Sequence, residues 1–178
     1  KLTSHRGEYY TVENARIYTL PDQPIPIYVA AKGPDAAEMA GRAGDGFINT
    51  SAEKEPIQVF EQAGGRGKEK HGQFTCCWAE TEEEAIKTAY KIWPNGGLKG
   101  PLSQELPLPQ HFEEAAQMVS EEDVAESVVC GPDVERYLQK IQEYVDAGFT
   151  HVYLHQIGPD QEGFFRFYQR ELEPRIGR

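Results

Sequence analysis

No apolar run in the 178 residues approaches the roughly 20 that a membrane-crossing helix needs, so hydropathy offers no spanning segment. Basic residues are scarce: 18 Lys and Arg against 29 Asp and Glu leave a net charge of −11. A phosphate backbone rewards clustered cations, which argues against nonspecific nucleic-acid binding. Cysteine is limited to Cys76, Cys77 and Cys130, with no Cys-x-x-Cys pair. Three thiols cannot all be bridged within one chain, so reduced cysteines in a cytoplasmic protein are expected, with adjacent Cys76 and Cys77 on opposite faces of a strand. No Walker loop and no Gly-x-Ser-x-Gly is present, and His5, His71 and His111 lack metal-ligand spacing, so no metal is expected. The chain opens at Lys1 without a signal peptide or initiator Met, which suggests a start inside a longer protein.

What is present alternates short apolar runs with amphipathic ones. Two β-rich runs, Glu8 to Val12 and Arg16 to Leu20, flank a turn at Glu13-Asn14-Ala15, and Pro21 to Pro26 forms a stiff connector. Strands are expected at Pro26 to Ala31, Gly46 to Asn49, Gln73 to Ala79, Val128 to Cys130 and Thr150 to His155. Helices are expected from Pro34 to Gly44, through Ile57, Phe60 and Ala63 as far as Gly64-Gly65, and from the capping box Thr81-Glu82-Glu83-Glu84 to Trp93. After a Gly- and Pro-rich excursion from Pro94 to Pro109, further helices are expected over His111 to Val119, Glu121 to Ser127, Pro132 to Ala147 and Gly163 to Leu172. The long one has Val134, Leu138, Ile141 and Val145 on one face. Strands alternating with helices imply a parallel α/β sheet. Four or five strands amount to half of a (β/α)8 barrel, which takes about 250 residues when whole.

The run Ile27-Tyr28-Val29-Ala30-Ala31-Lys32-Gly33-Pro34, followed by Ala40-Gly41-Arg42-Ala43-Gly44-Asp45-Gly46-Phe47-Ile48, resembles the luciferase-like flavin and deazaflavin enzymes. It is most similar to the group of F420-dependent glucose-6-phosphate dehydrogenases. Gly7-Glu8-Tyr9-Tyr10, Ala147-Gly148-Phe149-Thr150-His151-Val152, Gly158-Pro159-Asp160-Gln161 and Glu173-Pro174-Arg175 extend the likeness over nearly the whole chain. The resemblance implies the C-terminal half of a luciferase-like (β/α)8 barrel, with the N-terminal half, and the family's catalytic residues, lying elsewhere. It implies an oxidoreductase moving hydride between a small organic substrate and coenzyme F420. Two rivals are an FMN-dependent monooxygenase of the same superfamily and a non-catalytic fragment or binding module. Half of a barrel also implies a covering partner, the missing half or a second copy.

In the resembling family the first strand–helix junction lines the cofactor, so cofactor contact carries onto Ala30, Ala31, Gly33, Thr50 and Ser51. Small residues at a strand's carboxyl end let a ring or phosphate reach bare backbone, and tight helix–strand packing is the competing reading. Trp93 and His155 fall on the substrate side; for His155 a structural role competes. Gln156 ends the same strand, and Trp78 or Glu80 is expected near the pocket unless Trp78 is plain core. Gly44-Asp45-Gly46 precedes its strand and so lies on the stability face, with Asp45 in a turn or cap role and Arg42 as its possible ion-pair partner. The family's phosphate-binding cations fall on Glu53, Ser103 and Ser127 here, with Lys54 or Lys99 as substitutes. Glucose 6-phosphate is therefore not the expected substrate.

Overall fold

The computed structural model describes residues 1–100 and 102–176. Its first element is an exposed antiparallel hairpin, β1 (Thr3–Arg6) with β2 (Thr11–Ala15). The expected hairpin, Glu8 to Val12 with Arg16 to Leu20, is displaced by several residues. The turn sits at Gly7, whose N–H donates to the Tyr10 carbonyl at 2.9 Å. Asn14, expected in the turn, has φ of 50° inside β2, where the register against β1 shifts. Its tolerance of the left-handed region is used for a bulge rather than for the reversal.

Five strands form the parallel sheet: β3 (Tyr28–Ala30), β4 (Gly46–Asn49), β5 (Glu69–Cys77), β6 (Val129–Cys130) and β7 (His151–Gln156). β5 is the hub, pairing with β4, β6 and β7. It starts at Glu69, four residues before the expected Gln73, because its first half alternates polar with apolar rather than running apolar throughout. Lys70, Gly72, Phe74 and Cys76 are buried beneath helices, while Glu69, His71, Gln73 and Thr75 face the other way. That second face also carries Tyr28, Ile48, His151, Tyr153 and His155, and among the described residues no helix layer covers it. Among the described residues the sheet does not close, as expected of four or five strands.

Helices α1 (Pro34–Ala43), α2 (Lys54–Phe60), α3 (Glu82–Ile92), α4 (Leu102–Glu105), α5 (Pro109–Ala116), α6 (Glu121–Ser127), α7 (Val134–Ala147) and α8 (Gln161–Phe167) complete the chain. The main core joins Phe47, Phe60, Phe74, Tyr144, Phe149 and Leu172 under α1, α2, α7 and α8. A second cluster packs Cys77 and Cys130 against Ala85, Ala89 and Val124 of α3 and α6. Cys76 lies in the first cluster and Cys77 in the second, so the adjacent pair does split between faces; all three thiols are free and buried. Burial pushes the Cys76 and Cys130 thiols up to about 12 and Cys77 to about 11.

The buried face of α7 needs correcting. Tyr137, Tyr144 and Ala147 are its buried residues, Val134, Leu138 and Ile141 pack against the core as expected, and Val145 is instead 50% exposed. Two tyrosines seven residues apart therefore centre the stripe, rotated from the aliphatic one. Gly72 makes this possible: a Cβ there would overlap the Tyr144 ring. Arg42 pairs with Glu38 one turn back and not with Asp45. Asp45 instead clasps Ile27, accepting its N–H at 2.8 Å and donating its own to the Ile27 carbonyl at 2.7 Å. That is the turn role expected of it, at the amino end of β4.

Candidate active site

β4 pairs with β5 only as far as Asn49–Gly72, and β6 joins only at Cys76–Val129. Gln73, Phe74 and Thr75 are thus left without a strand on that edge. A cleft of about 490 Å³ opens there, near the carboxyl ends of the strands. Thr50, Ser51, Gln73, Thr75 and Trp93 line it, together with Lys140, Glu143 and Tyr144 of α7. The Tyr144 hydroxyl bridges the gap, 2.7 Å from the Gln73 carbonyl and 2.9 Å from that of Thr50. Burial, with a smaller push from the Glu143 charge, raises its pKa to about 12, which keeps it a neutral donor.

Of the residues singled out in the sequence, Thr50, Ser51 and Trp93 meet in this cleft. His155 lies against Trp93, ring centroids 5.6 Å apart at 84°, an edge-on contact. Ala30, Ala31 and Gly33 are not part of the cleft lining; they sit at the end of β3 and the start of α1. Ala30 is exposed, and a Cβ on Gly33 would meet nothing within 4 Å. No side chain caps α1, so the space beside its first-turn amides is open. Ala31 differs: its side chain is 4% exposed within the core and its N–H donates to the Ile48 carbonyl at 3.0 Å. Its backbone donor is therefore occupied.

Three buried N–H donors have no partner among the described residues: Asn49 Nδ2, Trp78 Nε1 and Gln156 Nε2. All three belong to the carboxyl ends of β4, β5 and β7. Ser51 donates its N–H and hydroxyl to Asn49 Oδ1, and the Trp78 N–H donates to Gln156 Oε1, which directs each amide's NH₂ away. Unmatched buried donors are costly, about 1–3 kcal/mol each. Asn49 and Tyr144 escaped notice in the sequence. A polar residue closing an apolar strand was the available signal for the first, and the seven-residue spacing of Tyr137 and Tyr144 for the second.

The cations tell a second story. Lys99 is held between Asp123 and Glu126, both at 3.0 Å. Ser120 and Lys99 together hold the Asp123 carboxyl down at about 2. The Ser127 hydroxyl gives its proton to the Gly96 carbonyl at 2.6 Å. Glu53 lines the cleft; the Ser103 side chain lies outside the described residues. Lys140, which sequence reasoning did not single out, is a cation lining the cleft, and it pairs with Glu143 at 2.8 Å.

A parallel β/α sheet with small, uncapped and hydroxyl-bearing residues at its strand ends has the active-face design of a (β/α)8-barrel enzyme. The chain belongs to the luciferase-like monooxygenase family, whose profile matches residues 1–151. It is 34% identical over 182 residues to an F420-dependent glucose-6-phosphate dehydrogenase of Mycolicibacterium gilvum, an alignment covering 96% of this chain and 54% of that protein. A protein of the same name from Mycobacterium tuberculosis is 31% identical over 184 residues, covering 97% and 54%. The chain spans about half the length of the curated relatives it matches. Among solved structures, an F420-dependent secondary alcohol dehydrogenase superposes with a TM-score of 0.80 at 22% identity, over 97% of this chain and 55% of that one. The coenzyme F420-dependent tetrahydromethanopterin reductase of Methanopyrus kandleri gives 0.66 at 21%, over 96% and 57%. The fold is accordingly half of a luciferase-like (β/α)8 barrel.

Proposed function

We propose that these residues form the second half of an F420-dependent oxidoreductase acting on a small uncharged substrate. The observation that carries this reading is the trio of buried, unpartnered donors on Asn49, Trp78 and Gln156. They fit a cofactor rich in carbonyl and phosphate oxygens, and the 34% identical relative is named for its use of F420. When bound, the coenzyme supplies a ring carbon that accepts or gives hydride. The chain's own task is positioning and the exclusion of water. Ala30 and Gly33 offer bare backbone for close approach, and the α1 amides beside Gly33 would hold an anionic tail. The Thr50 hydroxyl has no partner among the described residues and is free to donate to the cofactor. Ser51 holds Asn49 in register for the same purpose. Trp93 and His155 would form the substrate wall, their edge-on contact fixing the imidazole.

The same reading supplies a partner. The uncovered sheet face and the exposed segment carrying Tyr9, Tyr10, Tyr18 and Ile25 call for the other half of the barrel, with a second copy as the fallback. Proton-transfer groups belong to that half, and none is assigned to this chain. Three free, buried thiols suit a reducing compartment, the cytoplasm. Among the described residues no helix is long and apolar enough to cross a membrane.

Substrate choice follows from the cations. A phosphate dianion wants charge-assisted donors; Lys99 is engaged, Ser127 has spent its proton and Lys140 is shared with Glu143, which leaves Lys54 at the start of α2 as the remaining candidate cation. Steady-state reduction of F420 by the full-length protein, with glucose 6-phosphate set beside a panel of neutral alcohols, tests this. A neutral alcohol should be turned over at least tenfold more efficiently. A higher catalytic efficiency for the sugar phosphate would mean that the pocket has been misread.

A further inference from the structure

At the opposite end of the sheet, Glu69, His71 and His151 each present one ligand atom, and these atoms all lie within 4.8 Å of one another. We propose that this cluster binds a divalent transition metal of borderline softness, such as zinc, and ties β5 to β7. The arrangement follows from strand geometry. Glu69 and His71 are two residues apart on β5, so they share a face, and His151 is the register partner of His71 on β7. Two imidazoles and a carboxylate form a three-ligand set that leaves a fourth position for water.

The outer hydrogen bonds decide which nitrogens are free. Thr150 Oγ1 accepts the Lys70 N–H at 2.8 Å and donates its only proton to the Lys70 carbonyl at 3.0 Å. It also lies 3.0 Å from His151 Nδ1 and, so engaged, can accept a proton from that nitrogen. The Nε2 lone pair of His151 is then available to a cation. His71 Nδ1 lies 3.1 Å from the Tyr153 hydroxyl, while its Nε2 lies 3.1 Å from Glu69 Oε2. The phenol can accept from Nδ1–H, which turns the Nε2 lone pair and the carboxylate toward a shared ion. Tyr28 donates its hydroxyl to Glu69 and holds the carboxylate in place. Tetrahedral metal–ligand bonds of about 2.0–2.2 Å put the ligand atoms roughly 3.4 Å apart; Glu69 and His71, at 3.1 Å, are already near that separation, so His151 makes the main adjustment. The side chains have room for this, since Glu69 and His151 are exposed and His71 is half-buried.

Histidine spacing could not reveal the cluster, because His151 lies far along the chain from Glu69 and His71 and meets them only through the β5–β7 pairing. It lies at the amino ends of β5 and β7, away from the cleft and from every residue assigned to cofactor or substrate. The test uses untagged full-length protein, stripped with chelator, loaded with Zn²⁺ and desalted before metal analysis. About one zinc per chain should remain, and a Co²⁺-loaded sample should show visible d–d bands of a low-symmetry nitrogen-containing site. His151→Gln and Glu69→Gln, checked for native circular dichroism, should each weaken zinc at least tenfold. Less than a tenth of an equivalent in the wild type, the absence of d–d bands, or equal zinc in folded variants would overturn the proposal, leaving a hydrogen-bonded network only.

Discussion

Tyr144→Phe removes a single oxygen from the place where β4 stops and the cleft begins. The ring should keep its packing against Phe74 and Phe149, with centroids 6.0 and 5.2 Å away. What is lost is the donor to the Gln73 and Thr50 carbonyls at 2.7 and 2.9 Å. A phenol has one proton, so one strong bond disappears and a carbonyl on the unpaired edge of β5 loses its partner. The expected destabilisation is about 1–3 kcal/mol, the cost of an unsatisfied, partly buried acceptor rather than of a cavity. Urea unfolding of the full-length protein should show the midpoint falling by about 1 M with an unchanged slope.

The pH dependence carries a sign of its own. Burial raises the folded-state pKa of Tyr144 to about 12, above the ordinary value of about 10. The fold therefore favours the neutral phenol. Its contribution is present in full below pH 10 and is lost as pH rises toward 12. The buried thiols and Tyr137 titrate upward as well, so the informative quantity is the difference between wild type and Tyr144→Phe, which should shrink over that window. An unchanged midpoint at neutral pH would refute the clasp, and a difference that stays constant to pH 12 would refute the burial argument.

Gly33→Val should leave stability within about 1 kcal/mol, because the position has φ of −100° and open space around it, yet weaken F420 binding at least tenfold. Equal affinity in the variant, read by fluorescence titration, would remove Gly33 from the cofactor site. Cys76, Cys77 and Cys130 should resist a thiol reagent at pH 8 and all react once the chain is unfolded. Rapid labelling of native protein would contradict their burial. Phe47→Ala should cost about 3–5 kcal/mol by thermal or urea unfolding, since Phe47 is fully buried between Phe60 and Phe149. A loss below 1 kcal/mol would mean that the core packs elsewhere.

Much of the α/β rhythm was legible in the sequence because apolar runs as short as Gly46–Asn49 are bounded by glycine and by hydroxyl-bearing residues. The hairpin was not, since Tyr9, Tyr10, Thr11 and Val12 all follow Gly7 while only Thr3 precedes it, so the first strand carries little β signal of its own. The first half of β5 was hidden for a related reason: Glu69, Lys70 and His71 look like loop residues, although the Lys70 ammonium is buried against Glu61 at 2.8 Å. On α7 the aliphatic residues were easier to see than the tyrosines that fill the interior. Thr50, Ser51, Trp93 and His155 could be named from strand ends and from the family resemblance. The gap beside Gln73–Thr75 could not, because it exists only where β4 ends early and β6 joins late. The Glu69–His71–His151 cluster depends on the same long-range pairing.

The central claim is that the barrel completed around these strand ends holds F420 at the face carrying Gly33, Thr50 and Asn49. Titration of the full-length protein with oxidised F420 and, separately, with FMN, followed by coenzyme fluorescence, tests it most directly. The account predicts saturable binding of one F420 per chain, at least tenfold tighter than FMN and weakened together by Gly33→Val and Thr50→Val. Tight FMN binding with no saturation by F420 would contradict it and make the protein a flavin enzyme of the same family.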